Sequence, residues 1–166
     1  MLTNFEKCLN SIKMKHFFIL DGENQEPSYI DEIDGEFEVI NNTNNPINFL
    51  QIDSCILNSS DDTRCDCAIY NDDTFCFIEL KCIKPKNFQK KRKQAEEQLK
   101  VTIENFIQTD IVKNKTLEAF SCCNCKTKID GKFEEITSKP KNKENVVFFE
   151  LNLNTKLHCD TKKEFN

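Results

Sequence analysis

The stretch Arg64-Cys65-Asp66-Cys67-Ala68-Ile69-Tyr70, followed after a short polar gap by Thr74-Phe75-Cys76-Phe77-Ile78-Glu79-Leu80-Lys81, decides how the rest of the chain is read. Both runs have strand character, and Asn71, Asp72 and Asp73 between them are turn formers, so the pair predicts an antiparallel hairpin. Side chains alternate along a strand, which sets Glu79 and Lys81 on one face and Ile78, Leu80 and Cys82 on the other. In such a hairpin Asp66 lies beside Glu79, gathering two carboxylates and one ammonium on a common patch. Burying two carboxylates side by side is expensive unless a cation neutralises them, and a hard divalent ion with oxygen ligands does that best. Mg²⁺ is the natural candidate: it polarises a phosphoryl oxygen and lowers the pKa of a bound water, while a neighbouring Lys orients that water or stabilises developing charge. A plain ion pair of Lys81 with Glu79 or Asp66 explains the same spacing without any chemistry.

Working outward, residues 48–57 read as a strand before the hairpin. After Pro85 the period changes: Phe88, Ala95, Leu99, Ile103, Phe106 and Ile107 fall on one side of a helix that Asn87 can cap. Residues 117–123 and 146–153 read as two further strands joined by a polar, Lys-rich connection. At the other end, Phe5, Leu9, Ile12 and Met14 stand near helical spacing, which predicts a helix over residues 3–16. Residues 21–47 read as an acidic, loop-rich region with one or two short strands. A chain of 166 residues with this element order predicts one α/β domain, residues 1–166, with a mixed sheet covered by helices.

An Asp on one strand, twelve intervening residues, then Glu79-Leu80-Lys81 on an apolar strand that leads into a helix resembles the PD-(D/E)xK superfamily, the restriction-endonuclease-like nucleases. The resemblance spans residues 48–107 and includes Ile52-Asp53-Ser54-Cys55 before the motif and Gln94-Ala95 and Gln98-Leu99 after it. It implies a restriction-endonuclease-like α/β/α sandwich, a central mixed sheet flanked by helices. It also implies that Asp66, Glu79 and the Leu80 carbonyl hold Mg²⁺ or Mn²⁺, and that Lys81 positions or activates the attacking water. Gln98 matches a helix Gln that some members place near the active site, although a solvent-facing Gln is the simpler reading. Glu6 is the one candidate for an added acid from the first helix. Cys65 stands where the superfamily name has Pro. The implied activity is hydrolysis of DNA phosphodiester bonds, in bacterial defence or DNA processing. The alternatives are a non-catalytic nucleic-acid or protein-binding module on the same fold, or a nuclease directed at RNA.

The net charge of −5 argues against a nucleic-acid partner only as an average. Residues 16–63 carry 11 acids and no Lys or Arg, whereas residues 81–166 carry 19 bases against 12 acids. Lys84, Lys86, Lys90, Lys91, Arg92 and Lys93 follow the motif without an acid among them. Four of these lie in the first turns of the helix, where the macrodipole disfavours cations, so stability does not account for them. A helix N-terminus reinforced by Lys and Arg suits a phosphate backbone, DNA first and RNA second; a solvated Lys-rich face is the bland reading. The acidic run 21–38 reads as an exposed loop or edge, with docking or covering of a basic surface as the sharper idea. So short a chain lacks a specificity domain, which points to a homo-oligomer or a partner subunit.

The polar start has no h-region and no segment approaches a membrane span, so a cytoplasmic protein is expected, its 10 Cys reduced and mostly buried as small hydrophobes. Cys122-Cys123-x-Cys125 and Cys65-x-Cys67 lack the spacing of structural zinc sites. His16 and His158 are isolated and read as structural.

Overall fold

The computed structural model describes residues 5–22, 24–57, 63–80, 88–122, 126–129, 132–135 and 143–166. The hairpin forms as β6 (Cys67–Tyr70) and β7 (Thr74–Glu79), paired antiparallel with Cys67 opposite Ile78. Its turn is closed by the Asn71 side chain, which accepts hydrogen bonds from the backbone N–H groups of Asp73 and Thr74, as Asx turns do. Strand β5 (Ile47–Gln51) adds antiparallel to β6, and β1 (Leu9–Ile12) antiparallel to β5. Helix α1 (Phe88–Ile107) then carries the chain to β8 (Thr116–Ser121), which runs parallel to β7. Parallel neighbours require such a crossover. A second crossover, α2 (Lys143–Leu153), leads to β11 (Thr155–His158), parallel to β8. The mixed six-stranded sheet is ordered β1-β5-β6-β7-β8-β11.

Alternation gives this sheet two apolar faces. Ala68, Phe75, Phe77, Leu117 and Ala119 pack under Leu99, Ile103 and Phe106 of α1 and Phe149 and Leu153 of α2. The rings of Phe75, Phe77 and Phe106 pack with centroids 4.8 to 5.8 Å apart. Cys67, Ile69, Cys76, Ile78 and Phe120 face the other way, onto Phe17, Ile19, Phe37, Val39 and Phe165. Those residues belong to a second, four-stranded mixed sheet, built from β2 (His16–Leu20), β3 (Tyr29–Asp31), β4 (Phe37–Asn41) and β12 (Lys162–Phe165) in the order β12-β4-β2-β3. Strands β9 (Lys126–Ile129) and β10 (Lys132–Glu135) form a separate two-stranded ribbon.

The chain is therefore mixed α/β, as expected, but among the described residues the layers run helices, sheet, sheet. The second face of the central sheet is covered by strands where helices were expected, because β2, β4 and β12 set Phe17, Ile19, Phe37, Val39 and Phe165 against it. Residues 3–16 were expected to be helical; Phe5–Cys8 form a single 3-10 turn, and Leu9–Ile12 instead pair as an edge strand with β5. An isolated helix of that length is marginal, so strand pairing wins. Residues 146–153 were expected to be a strand; they are helical, with Phe149 and Leu153 buried at i,i+4 spacing against the core. Strand β5 stops at Gln51, short of the expected 57, because Ile52–Leu57 fold into a turn in which Ile56 N–H and Leu57 N–H both donate to the Ile52 carbonyl. Ser54 adopts φ 60° there, a left-handed conformation that no strand accommodates. The acidic run contains the edge strand β3 and enters β4, which lies inside the second sheet, in keeping with the one or two short strands expected within residues 21–47.

Candidate active site

Beyond the last ladder pair, Cys67 and Ile78, one more step of the same register sets Asp66 opposite Glu79. Glu79 follows Phe75 and Phe77 in alternation and is wholly buried, both carboxylate oxygens included. Asp66 is half-buried and is held at three points. Its carboxylate Oδ2 accepts the Leu80 N–H at 2.6 Å, and its backbone carbonyl accepts the N–H groups of Ile52 at 3.0 Å and Asp53 at 3.1 Å. The Glu79 carbonyl accepts the Cys122 N–H at 3.0 Å, which ties the same strand end to β8. The electrostatics register the crowding: burial pushes the Cys65 thiol well up, and the charges of Glu79 and Asp66 push it further. Cys67 is raised for the same reasons, burial first and Asp66 second.

Helix α1 is fastened to this region by a short relay. Thr102 Oγ1 accepts the Cys65 N–H at 2.8 Å and donates to the Gln98 carbonyl at 2.7 Å, while Gln98 Nε2 donates to the Arg64 carbonyl at 2.7 Å. Gln98 is thus neither solvent-facing nor, by this bond, turned to a substrate: it positions the backbone two residues before Asp66. Arg64 Nε donates to Asp53 Oδ1 at 2.6 Å. Asp53, Thr63, Arg64, Gln94, Glu97 and Gln98 line a cleft of about 330 Å³.

Of the expected basic group, Lys90, Lys91 and Lys93 are exposed on the first turns of α1, which carry no acid in the first turn. Arg92 is turned the other way: it is 7% exposed and pairs with the buried Glu96 at 2.9 Å, so it belongs to the helix packing rather than to the basic surface. Glu96 also accepts a hydrogen bond from Asn145 of α2. Lys81, Lys84 and Lys86 lie outside the described residues. Glu6 is exposed on the 3-10 turn that precedes β1.

Among the described residues, no group of three or more His, Cys, Asp and Glu side chains is placed to hold a metal ion. The set implied by the sequence is of another kind, two carboxylates and a backbone carbonyl. Asp66 and Glu79 fit the oxygen-rich part of it: they are carboxyl groups adjacent by register, Glu79 buried and Asp66 half-buried, and a hard divalent cation offsets the repulsion of two carboxylates so placed.

Sequence reasoning missed Thr102, although its place four residues after Gln98 puts both on one helix face. It also missed the bond between Cys8 and Cys55, which are joined in a disulfide where reduced thiols were expected. Forty-seven residues separate them, so no local spacing signals it. Cys65, Cys67, Cys76 and Cys122 are buried, as expected of small hydrophobes. No described helix is long and apolar enough to cross a membrane. Comparison with protein-family models, with curated proteins and with solved structures returned no match.

Proposed function

We propose that the chain is a metal-dependent nuclease that hydrolyses DNA phosphodiester bonds at Asp66 and Glu79. The observation that carries this reading is the pairing of those two carboxylates at the open end of the β6–β7 hairpin, with Asp66 oriented by the Leu80 N–H. A mixed central sheet with α1 and α2 packed on one face supports it in part.

In this reading Asp66, Glu79 and the Leu80 carbonyl hold Mg²⁺ or Mn²⁺, which when bound supplies an activated water and charge stabilisation at the phosphoryl group. The protein's own contributions follow from its geometry. The Leu80 N–H fixes the Asp66 carboxylate, the Ile52 and Asp53 N–H groups fix its backbone, and burial keeps Glu79 away from competing water. Lys81 orients the attacking water, and Lys90, Lys91 and Lys93 engage backbone phosphates at the helix N-terminus.

The test is cleavage of single- and double-stranded DNA and RNA with each metal, wild type against Lys81→Ala. The reading requires metal-dependent cleavage that Lys81→Ala abolishes while DNA binding persists. Wild-type protein that retards DNA yet never cuts it in Mg²⁺ or Mn²⁺ leaves a binding module, and cleavage confined to RNA reassigns the substrate.

A further inference from the structure

The Cys8–Cys55 disulfide joins two segments that have no ladder pair with each other. Cys8 ends the 3-10 turn that leads into β1 and is fully buried; Cys55 sits, only half-buried, in the Ile52–Leu57 turn. That turn holds the candidate site from behind, since its Ile52 and Asp53 N–H groups both donate to the Asp66 carbonyl and its Asp53 carboxylate takes Arg64. The turn also carries Ser54 in a left-handed conformation, and its two internal hydrogen bonds, 3.1 and 3.2 Å, share the one Ile52 carbonyl. The disulfide adds a covalent tie from this short segment to the residue before the edge strand β1.

We propose that the disulfide is a redox latch on the Asp66 site, a regulation that rests on the function proposed above: oxidised, it fixes the turn that positions Asp66; reduced, it releases the turn and weakens the site. The reductant is a small dithiol. One of its thiolates attacks Sγ of Cys55, the less buried residue of the pair, giving a mixed disulfide and expelling the Cys8 thiolate. Its second thiolate then attacks the dithiol sulfur of that mixed disulfide and expels the Cys55 thiolate. The dithiol gives up two electrons and leaves as a cyclic disulfide, and its two protons end on Cys8 and Cys55.

The experiment compares the full chain oxidised, reduced with dithiothreitol, and as a Cys8→Ser/Cys55→Ser double variant. Amide hydrogen exchange is read at Ile52 and Asp53 and, as an internal reference, at Cys76 and Phe77 of β7. Mn²⁺ affinity is measured on the double variant, and on reduced protein freed of dithiothreitol in case the variant does not fold. The latch predicts that exchange at Ile52 and Asp53 accelerates far more than at β7, and that Mn²⁺ affinity falls roughly 10- to 100-fold, the usual effect of losing support behind a metal ligand. Exchange that rises equally at both places makes the bond a general staple and overturns the latch, as does unchanged Mn²⁺ affinity. If oxidised wild type neither binds Mn²⁺ nor cuts nucleic acid, the nuclease reading fails, and the latch stands or falls on the exchange data alone.

Discussion

Asp66 and Leu80 are joined by a 2.6 Å hydrogen bond from the Leu80 N–H to the Asp66 carboxylate, so the side chain of one strand end is aimed by the backbone of the other. The bond separates two roles of Asp66 that substitution can tell apart. Asp66→Asn keeps an oxygen for the Leu80 N–H but removes the charge. It is expected to melt close to wild type and to lose Mn²⁺ affinity by about ten-fold or more. Asp66→Ala also leaves the half-buried N–H without its acceptor, at about 1 to 3 kcal/mol of stability. Calorimetric titration with Mn²⁺ alongside denaturant unfolding checks both; equal destabilisation by Asn and Ala contradicts the aiming role.

The exposed part of the basic surface has a countable signature. Each phosphate neutralised on duplex DNA contributes about −0.9 to the slope of log affinity against log salt. Replacing Lys90, Lys91 and Lys93 together by Gln is expected to make that slope shallower by about 3, with weaker binding spread evenly over sequences. Fluorescence anisotropy across a salt series reads it, and a slope that does not move removes these side chains from the interface.

How far the sequence was legible follows from the range of the forces involved. The β6–β7 hairpin and α1 were readable because their signals are local: Asn71 and its Asp neighbours make the turn, and Leu99, Ile103 and Phe106 make the helix stripe. The juxtaposition of Asp66 with Glu79 came with the hairpin register. What was not legible depended on partners far away in sequence. Leu9–Ile12 became a strand because β5 offers an edge, and the Val146-Val147-Phe148-Phe149 run, β-prone by composition, became helix because a parallel β11 needs a crossover. The second sheet depends on Phe165 at one end of the chain meeting residues 17–39 near the other. Arg92 was misjudged because a charge run gives no sign of which member points inward; its neighbour four residues on, Glu96, was the clue.

That inward pair makes its own prediction. Arg92 and Glu96, four residues apart on α1, are nearly enclosed, with side-chain exposures of 9% and 3%. Removing one partner leaves a buried charge, so Arg92→Met is expected to cost about 3 to 5 kcal/mol, and a double variant Arg92→Met/Glu96→Leu to recover most of that loss. Urea unfolding of the three proteins tests it, and a double variant no better than Arg92→Met shows that the pair's burial is not the source of the cost.

A second charge cluster, half-buried between the two sheets, makes the fold sensitive to acid. Glu118 of β8 faces His158 of β11 at 3.3 Å and takes both of its carboxylate oxygens to Lys163 of β12 at 2.9 Å, so it bolts the two sheets together. The His158 ring 3.3 Å away first, and the Lys163 hydrogen bonds and charge after it, hold its carboxyl down to about 2 against the opposing effect of burial. A carboxylate depressed in the folded state stabilises it fully above the unfolded value near 4.5, and that contribution drains away as pH falls toward 2. The amount is at most about 3 kcal/mol, at 1.36 kcal/mol per pH unit. Glu118→Gln is therefore expected to unfold more easily than wild type at pH 7 and to close that gap steadily between pH 4.5 and pH 2. Thermal melts of the two proteins across that range check the sign; a difference that stays constant with pH assigns the loss to packing instead of to the charge.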